Sequence, residues 1–222
     1  MTVTVDDTYL MAIADAIREK SGSEATYKPR EMAAAIREIG GDDALIGLLD
    51  GNITELNVPN GTTEIVKYGC AYRSDLVAVT LPETVTTIGM NAFQDCTDLE
   101  TINLPSGLTS LGYAAFDGCE FLSSITEIPK GVTTISGYTF GSNAMTTFTL
   151  HENVKTIMNS AFNNCYNLAE VTFKGTPNSI GSSAFQSCWD LKTINVPWAK
   201  GAVENAPWGA PSSATINYGN TG

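Results

Sequence analysis

The sequence predicts a mostly β solenoid, in which a short unit winds into one coil after another and the coils stack their strands into a parallel sheet. Three observations predict this fold: a 23-residue unit that repeats in register, an alternation of polar and apolar residues inside each unit, and a Phe and a Cys at fixed places in most units. A fixed period of about 20 to 50 residues is the signature of solenoid proteins.

The unit is clearest in residues 76–98, LVAVTLPETVTTIGMNAFQDCTD, and in residues 99–121, LETINLPSGLTSLGYAAFDGCEF. Apolar residues recur at unit positions 1, 4, 6, 10, 13 and 18, with Pro commonly at 7, Ala at 17 and Cys at 21. Each unit therefore offers one coil with the same inward face. The units, numbered one to seven below, begin at Ile53, Leu76, Leu99, Leu122, Met145, Leu168 and Leu191.

Each unit predicts three local elements. Positions 3 to 6 alternate polar and apolar, as a half-buried strand does, and the Pro at position 7 ends that strand. The V-T-x-I segment at positions 10 to 13 predicts a second strand on the other side of the coil. We predict that the A-F-x-x-C segment forms a short helical turn that points Phe and Cys inward. Seven coils at about 4.8 Å each would give a sheet roughly 34 Å long.

Three units depart from the pattern. In the fourth unit the residues from Pro129 to Phe140 lie one place late, and one residue is missing before Met145. We expect this insertion to change the loop and to leave the register of the later units intact. The first unit has Cys70 and the seventh has Trp208 where the others have Phe. Atypical terminal units are expected of a capped repeat array.

Residues 1–43 predict a helical pair and a linker in front of the solenoid. Apolar residues recur there at helical spacing in two stretches, which Ser21-Gly22 separates and Gly40-Gly41 closes. Two such short helices bury too little surface alone, so we expect them to dock on the solenoid or on another chain, as in a homo-oligomer. The candidate docking residues are Leu10, Ile13, Ile17, Met32, Ala35, Ile36 and Ile39.

Residues 44–222 are assigned to the solenoid. Its N-terminal cap is predicted at residues 44–52, its repeats run from residue 53, and its C-terminal cap is predicted at about residues 191–222. Four of the five cysteines fall at unit position 21, which indicates buried packing and not a disulfide framework.

The net charge of −12 argues against nucleic acid and anionic membranes as partners. No apolar run reaches the length of a membrane span, and two acidic residues, Asp6 and Asp7, stand where a signal peptide would carry basic ones. We therefore expect synthesis in a bacterial cytoplasm without a signal peptide.

The pattern LxxIxLPxxVTxIGxxAFxxC, as it stands in Leu76–Cys96 and again in Leu99–Cys119, resembles the BspA-like (Treponema pallidum type) leucine-rich repeat family. The resemblance covers roughly residues 53–190. It implies a curved leucine-rich repeat solenoid with a parallel sheet, a fold found in bacterial surface and adhesion proteins.

Two flanking segments, residues 13–39 and 196–220, are similar to segments of structural proteins from phages and prophages of gut Firmicutes. This similarity implies a virion or tail-associated protein, with other virion proteins as partners. The alternative, from the repeat family itself, is a bacterial cell-surface adhesin or host-protein binder.

The residues that carry chemistry do not form a catalytic pattern. His151 is the only histidine and stands where other units have Pro, so a surface loop role is favoured over catalysis. No pair of carboxylates lies in a context typical of a glycoside hydrolase. Carboxylates gather after the Phe at Asp95, Asp98, Glu100, Asp117 and Glu120, where a solvated acidic rim is favoured over a calcium site. We predict no enzymatic activity, no cofactor and no metal.

Two features are candidates for recognition. Outward strand positions carry rows of Thr, Ser and Asn, which suit hydroxyl-rich ligands but also serve any solenoid surface. Tyr166 and Trp189 follow the core Cys and are predicted to be stacked neighbours at a turn, with Trp198 and Trp208 nearby. Exposed stacked rings bind sugar faces or form interface hot spots. The alternative is that Trp208 replaces the core Phe and Trp198 closes the end.

The sequence thus predicts a non-enzymatic protein whose solenoid binds a host-cell surface glycan or protein, with many copies on one particle acting together. The candidate ligand-binding residues are Tyr166, Trp189, Trp198, Thr101, Asn103, Thr147, Thr149, Thr172, Thr193 and Asn195.

Overall fold

The computed structural model describes residues 54–219, which form short parallel strands joined by tight turns. The strands, numbered along the chain, fall into two groups. The front strands, near unit positions 3 to 6, are β1 (Glu55–Asn57), β3 (Ala78–Thr80), β5 (Thr101–Ile102), β8 (Thr147–Leu150), β10 (Glu170–Phe173), β12 (Thr193–Val196) and β13 (Thr215–Tyr218). The back strands, near unit positions 12 and 13, are β2 (Glu64–Ile65), β4 (Thr87–Ile88), β6 (Ser110–Leu111), β7 (Thr134–Ile135), β9 (Thr156–Ile157) and β11 (Ser179–Ile180).

Every front strand pairs in parallel with the front strand of a neighbouring unit, and the back strands do the same. Val171 of β10 stands beside Ile194 of β12, and Ile88 of β4 stands beside Leu111 of β6. The apolar residues of these pairs are buried while the alternate residues face outward, because successive side chains of a strand point to opposite faces. Both predicted strands of the unit and the parallel stacking are confirmed.

The fourth unit divides both sheets. The front strands form the sets β1-β3-β5 and β13-β12-β10-β8, and the back strands form β2-β4-β6 and β11-β9-β7. Between β5 and β8 the chain makes only an isolated bridge from Glu127 to Thr149, and the Ser124 hydroxyl accepts the N–H of Ile102 at 3.2 Å. Register resumes after the insertion, since Thr134 pairs with Thr156. The expected repair of the register is confirmed, although both sheets are interrupted at the fourth unit.

The A-F-x-x-C segment is not a helical turn, and this prediction was wrong. In the second unit, the N–H groups of Ala92 and Cys96 bond within the coil to Gly89 and Phe93, each at 3.3 Å. The N–H of Phe93, between them, bonds across to Ala115 of the next coil at 2.8 Å. A helix would keep all these N–H groups within one coil. The alternation instead gives successive β-turns that also tie neighbouring coils together.

These turns require left-handed residues. Asn91 and Asp95 have φ of 56° and 55°, and other units place a positive φ at matching sites, for example at Ser160 and Asn164. A type II turn needs φ above zero at its third residue, a conformation that Asn, Asp and Gly adopt most readily. The turn chemistry of the unit therefore explains the small polar residues on either side of the inward Phe.

The inward Phe residues form a continuous stack. The ring centroids are 5.5 Å apart from Phe93 to Phe116, 5.9 Å from Phe116 to Phe140, 5.5 Å from Phe140 to Phe162 and 5.3 Å from Phe162 to Phe185. Each of these rings is fully buried. Since aromatic side chains bury a large area and gain further from offset stacking, this stack is the main apolar element of the core. The predicted Phe ladder is confirmed.

A ladder of hydrogen bonds runs beside the Phe stack. The side chain at unit position 21 donates to the backbone carbonyl of the core residue in the preceding coil. Four thiols and one amide do this: Cys96 to Cys70 at 3.0 Å, Cys119 to Phe93 at 3.1 Å, Asn143 to Phe116 at 2.8 Å, Cys165 to Phe140 at 2.9 Å and Cys188 to Phe162 at 3.0 Å. All five cysteines are free thiols. The predicted burial of the four position-21 cysteines is confirmed, and their thiols have a structural role as buried donors.

The C-terminal unit closes the core as an atypical repeat. The carbonyl of Trp208 accepts the N–H of Phe185 at 3.0 Å, and its fully buried ring takes the place of the next Phe. The indole N–H of Trp208 donates to the Glu204 carbonyl at 2.7 Å. The strand β13 then pairs with β12, Thr215 beside Thr193, so the predicted cap contributes a strand of its own.

Residues 1–53, with the predicted helical pair, its docking residues and the cap at 44–52, lie outside the described residues. Residues 54–219 contain no α-helix, and accordingly no helix that is long and apolar enough to cross a membrane.

We expect a thiol reagent to label the native protein slowly at neutral pH and the denatured protein quickly. Burial raises the pKa of Cys70 to about 11 and raises the pKa values of Cys96, Cys119 and Cys165 well above that of an ordinary thiol, so little reactive thiolate is present. Cys70, which is only partly buried, should react first. Rapid labelling of all five thiols in the native protein would contradict the buried ladder.

A second prediction concerns Asn143, which stands where other units have Cys. Asn143→Ala should lower the free energy of unfolding by about 1–3 kcal/mol, because the Phe116 carbonyl loses its side-chain donor. Asn143→Cys is the matched variant: it restores a donor and removes the Oδ1 of Asn143, which is buried without a hydrogen-bond partner. It should be at least as stable as the parent in urea unfolding. Equal losses in the two variants would refute the role of this donor.

Candidate binding surfaces

Large apolar side chains are exposed along two edges of the solenoid. The tyrosine edge lies on the turns between the back strands and the position-21 residues and consists of the exposed Tyr68, Tyr72, Met90 and Tyr113 and the half-buried Tyr138. The tryptophan edge lies on the turns between the position-21 residues and the front strands and consists of Phe121, Tyr166 and Trp189. Contiguous exposed apolar groups of this kind mark interaction surfaces more often than scattered single ones do.

The tryptophan edge contains the most exposed aromatic ring of the described residues. Trp189 is 67% exposed, Phe121 59% and Tyr166 51%. Tyr166 and Trp189 belong to adjacent coils, which are joined here by the Asp190 N–H and the Tyr166 carbonyl at 3.2 Å. The predicted neighbourhood is therefore present, but the ring contacts within residues 54–219 do not include one between these two rings. Two separate, accessible aromatic faces lie side by side along the edge.

Trp198 does not belong to this edge. It is only 6% exposed and packs edge-on against Phe173 at 5.1 Å and against Trp208 at 6.3 Å between ring centroids. Its indole N–H is buried without a hydrogen-bond partner among the described residues. Trp198 thus closes the end of the core, as the alternative interpretation of the sequence had it, and its ring is not available to a ligand.

The polar rows of the front face are partly occupied by bonds within the protein. The Asn195 amide donates to the Glu170 carboxylate at 2.7 Å and to the Thr172 hydroxyl at 3.3 Å, and it accepts from Asn217 at 2.9 Å. The coil-to-coil register places these residues side by side. This ladder joins coils six, seven and the terminal strand, so part of its hydrogen-bonding capacity is already used.

Asn103 has a structural role as well. Its side-chain amide donates to the Leu81 carbonyl at 2.8 Å and accepts the Leu81 N–H at 2.7 Å, which continues the front sheet past the end of β5. The hydroxyls of the remaining candidates make no side-chain hydrogen bond within residues 54–219 and stay available at the surface. These are Thr101, Thr147, Thr149 and Thr193.

The tyrosine edge was missed by sequence reasoning. Tyr68, Tyr72 and Tyr113 are 43%, 49% and 47% exposed, and the rings of Tyr113 and Tyr138 meet edge to face with centroids 5.7 Å apart. A Cβ added at Gly137 would lie 3.2 Å from the Tyr113 ring, so that glycine makes room for the ring. The signal in the sequence is a Met or Tyr directly after a Gly in three successive units, at Met90, Tyr113 and Tyr138.

Two carboxylates come shortly after residues of the tyrosine edge in the chain. Asp95 and Asp117 lie in adjacent coils, and the N–H of Asp95 bonds to the Asp117 carbonyl at 2.8 Å. Burial and then repulsion from Glu120 raise the pKa of Asp95, and burial and then repulsion from Asp95 raise the pKa of Asp117. Among the described residues no three acidic, His or Cys side chains are grouped so that they could hold a metal ion.

His151 is held in its loop by both ring nitrogens. Nδ1 accepts the N–H of Asn153 at 3.2 Å, and Nε2 lies 3.1 Å from the Pro129 carbonyl, to which it donates in the matching tautomer. This geometry links the loops of units four and five. Such a histidine has a structural role, because neither nitrogen is directed at a neighbouring nucleophile.

Comparison with known proteins agrees with this architecture. A sequence profile of the BspA type leucine rich repeat region matches residues 49–150 and 87–205, with six copies of the repeat. The chain belongs to this family. No curated protein sequence matches it. The resemblance that the repeats indicated is confirmed, while the similarity of the flanking segments to phage proteins stays a prediction.

Solved leucine-rich repeat structures are also similar to the chain. A T. pallidum leucine-rich repeat protein is 27% identical, with 65% of this chain and 70% of that one covered at a TM-score of 0.54. A leucine rich cell surface protein of Faecalibacterium prausnitzii is 20% identical, with 73% and 63% covered and a TM-score of 0.34. A leucine-rich repeat protein of Bacteroides ovatus is 17% identical, with 75% and 61% covered and a TM-score of 0.31. The chain spans less than two thirds of the latter two.

The raised pKa of Asp117 predicts a pH-dependent gain in stability for Asp117→Asn. Because the native state binds this proton more tightly than the unfolded chain, stability falls as pH rises through the acid range and is lowest when the carboxyl is ionised. Asp117→Asn should therefore raise Tm at neutral pH, and the gain should vanish as the pH is lowered and Asp117 becomes protonated.

Glu152→Gln is the control for this measurement. The backbone N–H of Glu152 and then Lys130, whose Nζ lies 3.0 Å from Oε1, lower the pKa of Glu152. Loss of this charge should not raise Tm at neutral pH. A gain for Asp117→Asn that is the same at every pH would show that its charge is not the cause.

Proposed function

We propose that this leucine-rich repeat protein is a non-enzymatic binding protein that recognises a glycan of a host-cell surface through the tryptophan edge and the adjoining threonines of the front face. The observation that carries the proposal is the pair of exposed rings, Trp189 and Tyr166, in adjacent coils. Such rings stack on the apolar faces of sugar units and lose little side-chain entropy when they do so.

The surroundings of the two rings support a sugar ligand. Tyr166 lies four residues before Glu170 of β10, and Trp189 lies four residues before Thr193 of β12, so each ring precedes the outward polar positions of the following unit. Thr147 and Thr193 offer free hydroxyls on either side of Glu170, with which both are in register. A flat apolar contact beside several hydroxyl and carboxylate groups suits a ligand that has both apolar faces and many hydroxyls.

The proposal excludes catalysis on the chemistry of the available groups. Both nitrogens of His151 are engaged in its loop, and Cys96, Cys119, Cys165 and Cys188 point into the core, where they donate to carbonyls. A nucleophilic cysteine needs an accessible thiolate and a neighbouring base, which this arrangement does not provide.

We further propose that the chain acts as one of many copies on a virion or phage tail, where weak sites gain strength by acting together. The flanking segments of the sequence support this location, whereas membership of the repeat family supports a cell-surface adhesin equally well. Mass spectrometry of purified phage particles and of washed host envelopes separates the two. Peptides of this chain in the particles and not in the envelopes would support the virion location.

The glycan proposal predicts that Tyr166→Ala/Trp189→Ala folds normally and binds purified host surface polysaccharide about 5- to 150-fold more weakly, since the loss of two stacking contacts costs about 1–3 kcal/mol. Binding is measured by biolayer interferometry, with folding checked by Tm. Tyr113→Ala is the matched control, because it removes an exposed ring from the opposite edge. Unchanged binding by the double variant would remove this site, and release of sugar products during incubation would refute the non-enzymatic assignment.

A further inference from the structure

The middle of the tyrosine edge, Met90 and Tyr113, lies in a stretch of the chain that has no positive charge. Between Arg73 and Lys130 the sequence contains no Lys, Arg or His. The same stretch, residues 74–129, contains eight acidic residues: Asp75, Glu83, Asp95, Asp98, Glu100, Asp117, Glu120 and Glu127. Coils two and three therefore form a purely negative segment, and most of the tyrosine edge belongs to it or borders it.

The edge consists of two rows that the turn geometry holds parallel. The first row is aromatic and apolar: the N–H of Tyr68 bonds to the Met90 carbonyl at 3.1 Å, and the N–H of Asn91 bonds to the Tyr113 carbonyl at 2.9 Å. The second row lies four or five residues further along each coil and consists of Tyr72, Asp95 and Asp117. Rings and carboxylates are thus presented side by side over several coils.

The carboxylates of the second row have no counter-charge within the described residues. Neither Asp95 nor Asp117 forms an ion pair there, and after burial it is a negative charge, Glu120 and Asp95 respectively, that raises the pKa of each. A glycine of the next coil lies under each carboxylate, so Asp95 covers Gly118 and Asp117 covers Gly141. A positive group seated here would replace a repulsion with an attraction, and it would find the negative face of a tyrosine ring beside it.

The edge already holds one cation of its own. Nζ of Lys67 lies 5.2 Å from the centroid of the Tyr68 ring, at the N-terminal end of the first row. This distance is within the range of a cation–π contact. The contact shows that a Lys side chain fits against this row, and the remaining rings of the edge have no cation against them in residues 54–219.

We propose that the tyrosine edge is a docking site for a Lys- and Arg-bearing segment of a partner protein. The combination of rings and uncompensated carboxylates favours a cationic protein segment over nucleic acid or an anionic membrane, both of which the negative charge of coils two and three repels. A neutral sugar could donate hydrogen bonds to the carboxylates but would not relieve the repulsion between their charges. The site is separate from the tryptophan edge and does not depend on the glycan proposal.

The test uses the full chain and a fluorescent synthetic peptide of alternating lysine and threonine, with a glutamate–threonine peptide as the negative probe. The lysine peptide should bind, measured by fluorescence anisotropy, and its affinity should fall as salt is added. Two variants should each weaken binding about 10-fold: Tyr72→Asn/Tyr113→Ala, which removes rings, and Asp95→Asn/Asp117→Asn, which removes charge. Asn is chosen at 72 and 95 because both have φ near 60°, which Asn adopts readily.

The control is Tyr166→Ala/Trp189→Ala, which should bind the lysine peptide as the parent does. Absence of binding by the parent, or equal binding by both edge variants, would overturn the proposal. Self-association of the parent that the edge variants abolish would assign the edge to a second copy of the chain instead. A changed pattern of limited proteolysis in residues 1–53 of the edge variants would assign it to the chain's own N-terminal segment. Either outcome would also overturn the proposal that a separate cationic partner docks on this edge.

Discussion

The buried carbonyl of each core Phe constrains the whole solenoid. The Phe ring must point inward to join the stack, and this turns the carbonyl of the same residue into a region without water. A buried carbonyl without sufficient hydrogen bonds costs free energy, so each coil must bring a donor to the coil before it. A thiol is small, apolar enough for a core and still able to donate, which explains why Cys recurs once per unit and never needs a disulfide. Asn143 shows that the donor matters more than the sulfur, because its amide reaches the same carbonyl from the same place.

The turns that carry these residues decide which surfaces are available for binding. Along each turn the backbone N–H groups bond alternately to carbonyls of their own coil and of the next coil. These hydrogen bonds occupy the N–H groups of the turn and fix the direction of its inward side chains. The turn positions whose side chains point outward are not constrained by core packing. They tolerate Tyr, Met, Asp and Trp, while the front sheet uses residues such as Asn103 and Asn195 for bonds between coils. The side chains at the edges are therefore freer to vary than those of the front sheet.

The periodicity was sufficient to predict the fold but not the turns. Leu, Ile and Phe at fixed positions specify which residues point inward, and this predicted both strands, the Phe stack and the thiol ladder. The inward Ala, Phe and Cys fit a helical turn and a run of β-turns equally well, since the spacing says only which side chains are buried. Residues with positive φ, such as Asn91 and Asp95, distinguish the run of β-turns from a helical turn. In a single sequence, such positions are visible only as a preference for Asn, Asp, Ser and Gly. The tyrosine edge escaped notice because Tyr68 lies one unit position later than Met90 and Tyr113, and these residues become neighbours only when the coils stack.

The fourth unit separates two chemically different halves without interrupting the core. Both sheets break there, yet the Phe stack continues across the break, with a centroid distance of 5.9 Å that is the longest of the stack. Before the break lie the cation-free coils with Asp95 and Asp117; directly after Pro129 comes Lys130, which pairs with Glu152, and the two exposed rings of Tyr166 and Trp189 follow in the coils beyond it. A solenoid whose coils contact only their neighbours can change its surface chemistry from one coil to the next, because no distant packing has to change with it. One core can therefore support two edges that bind different partners.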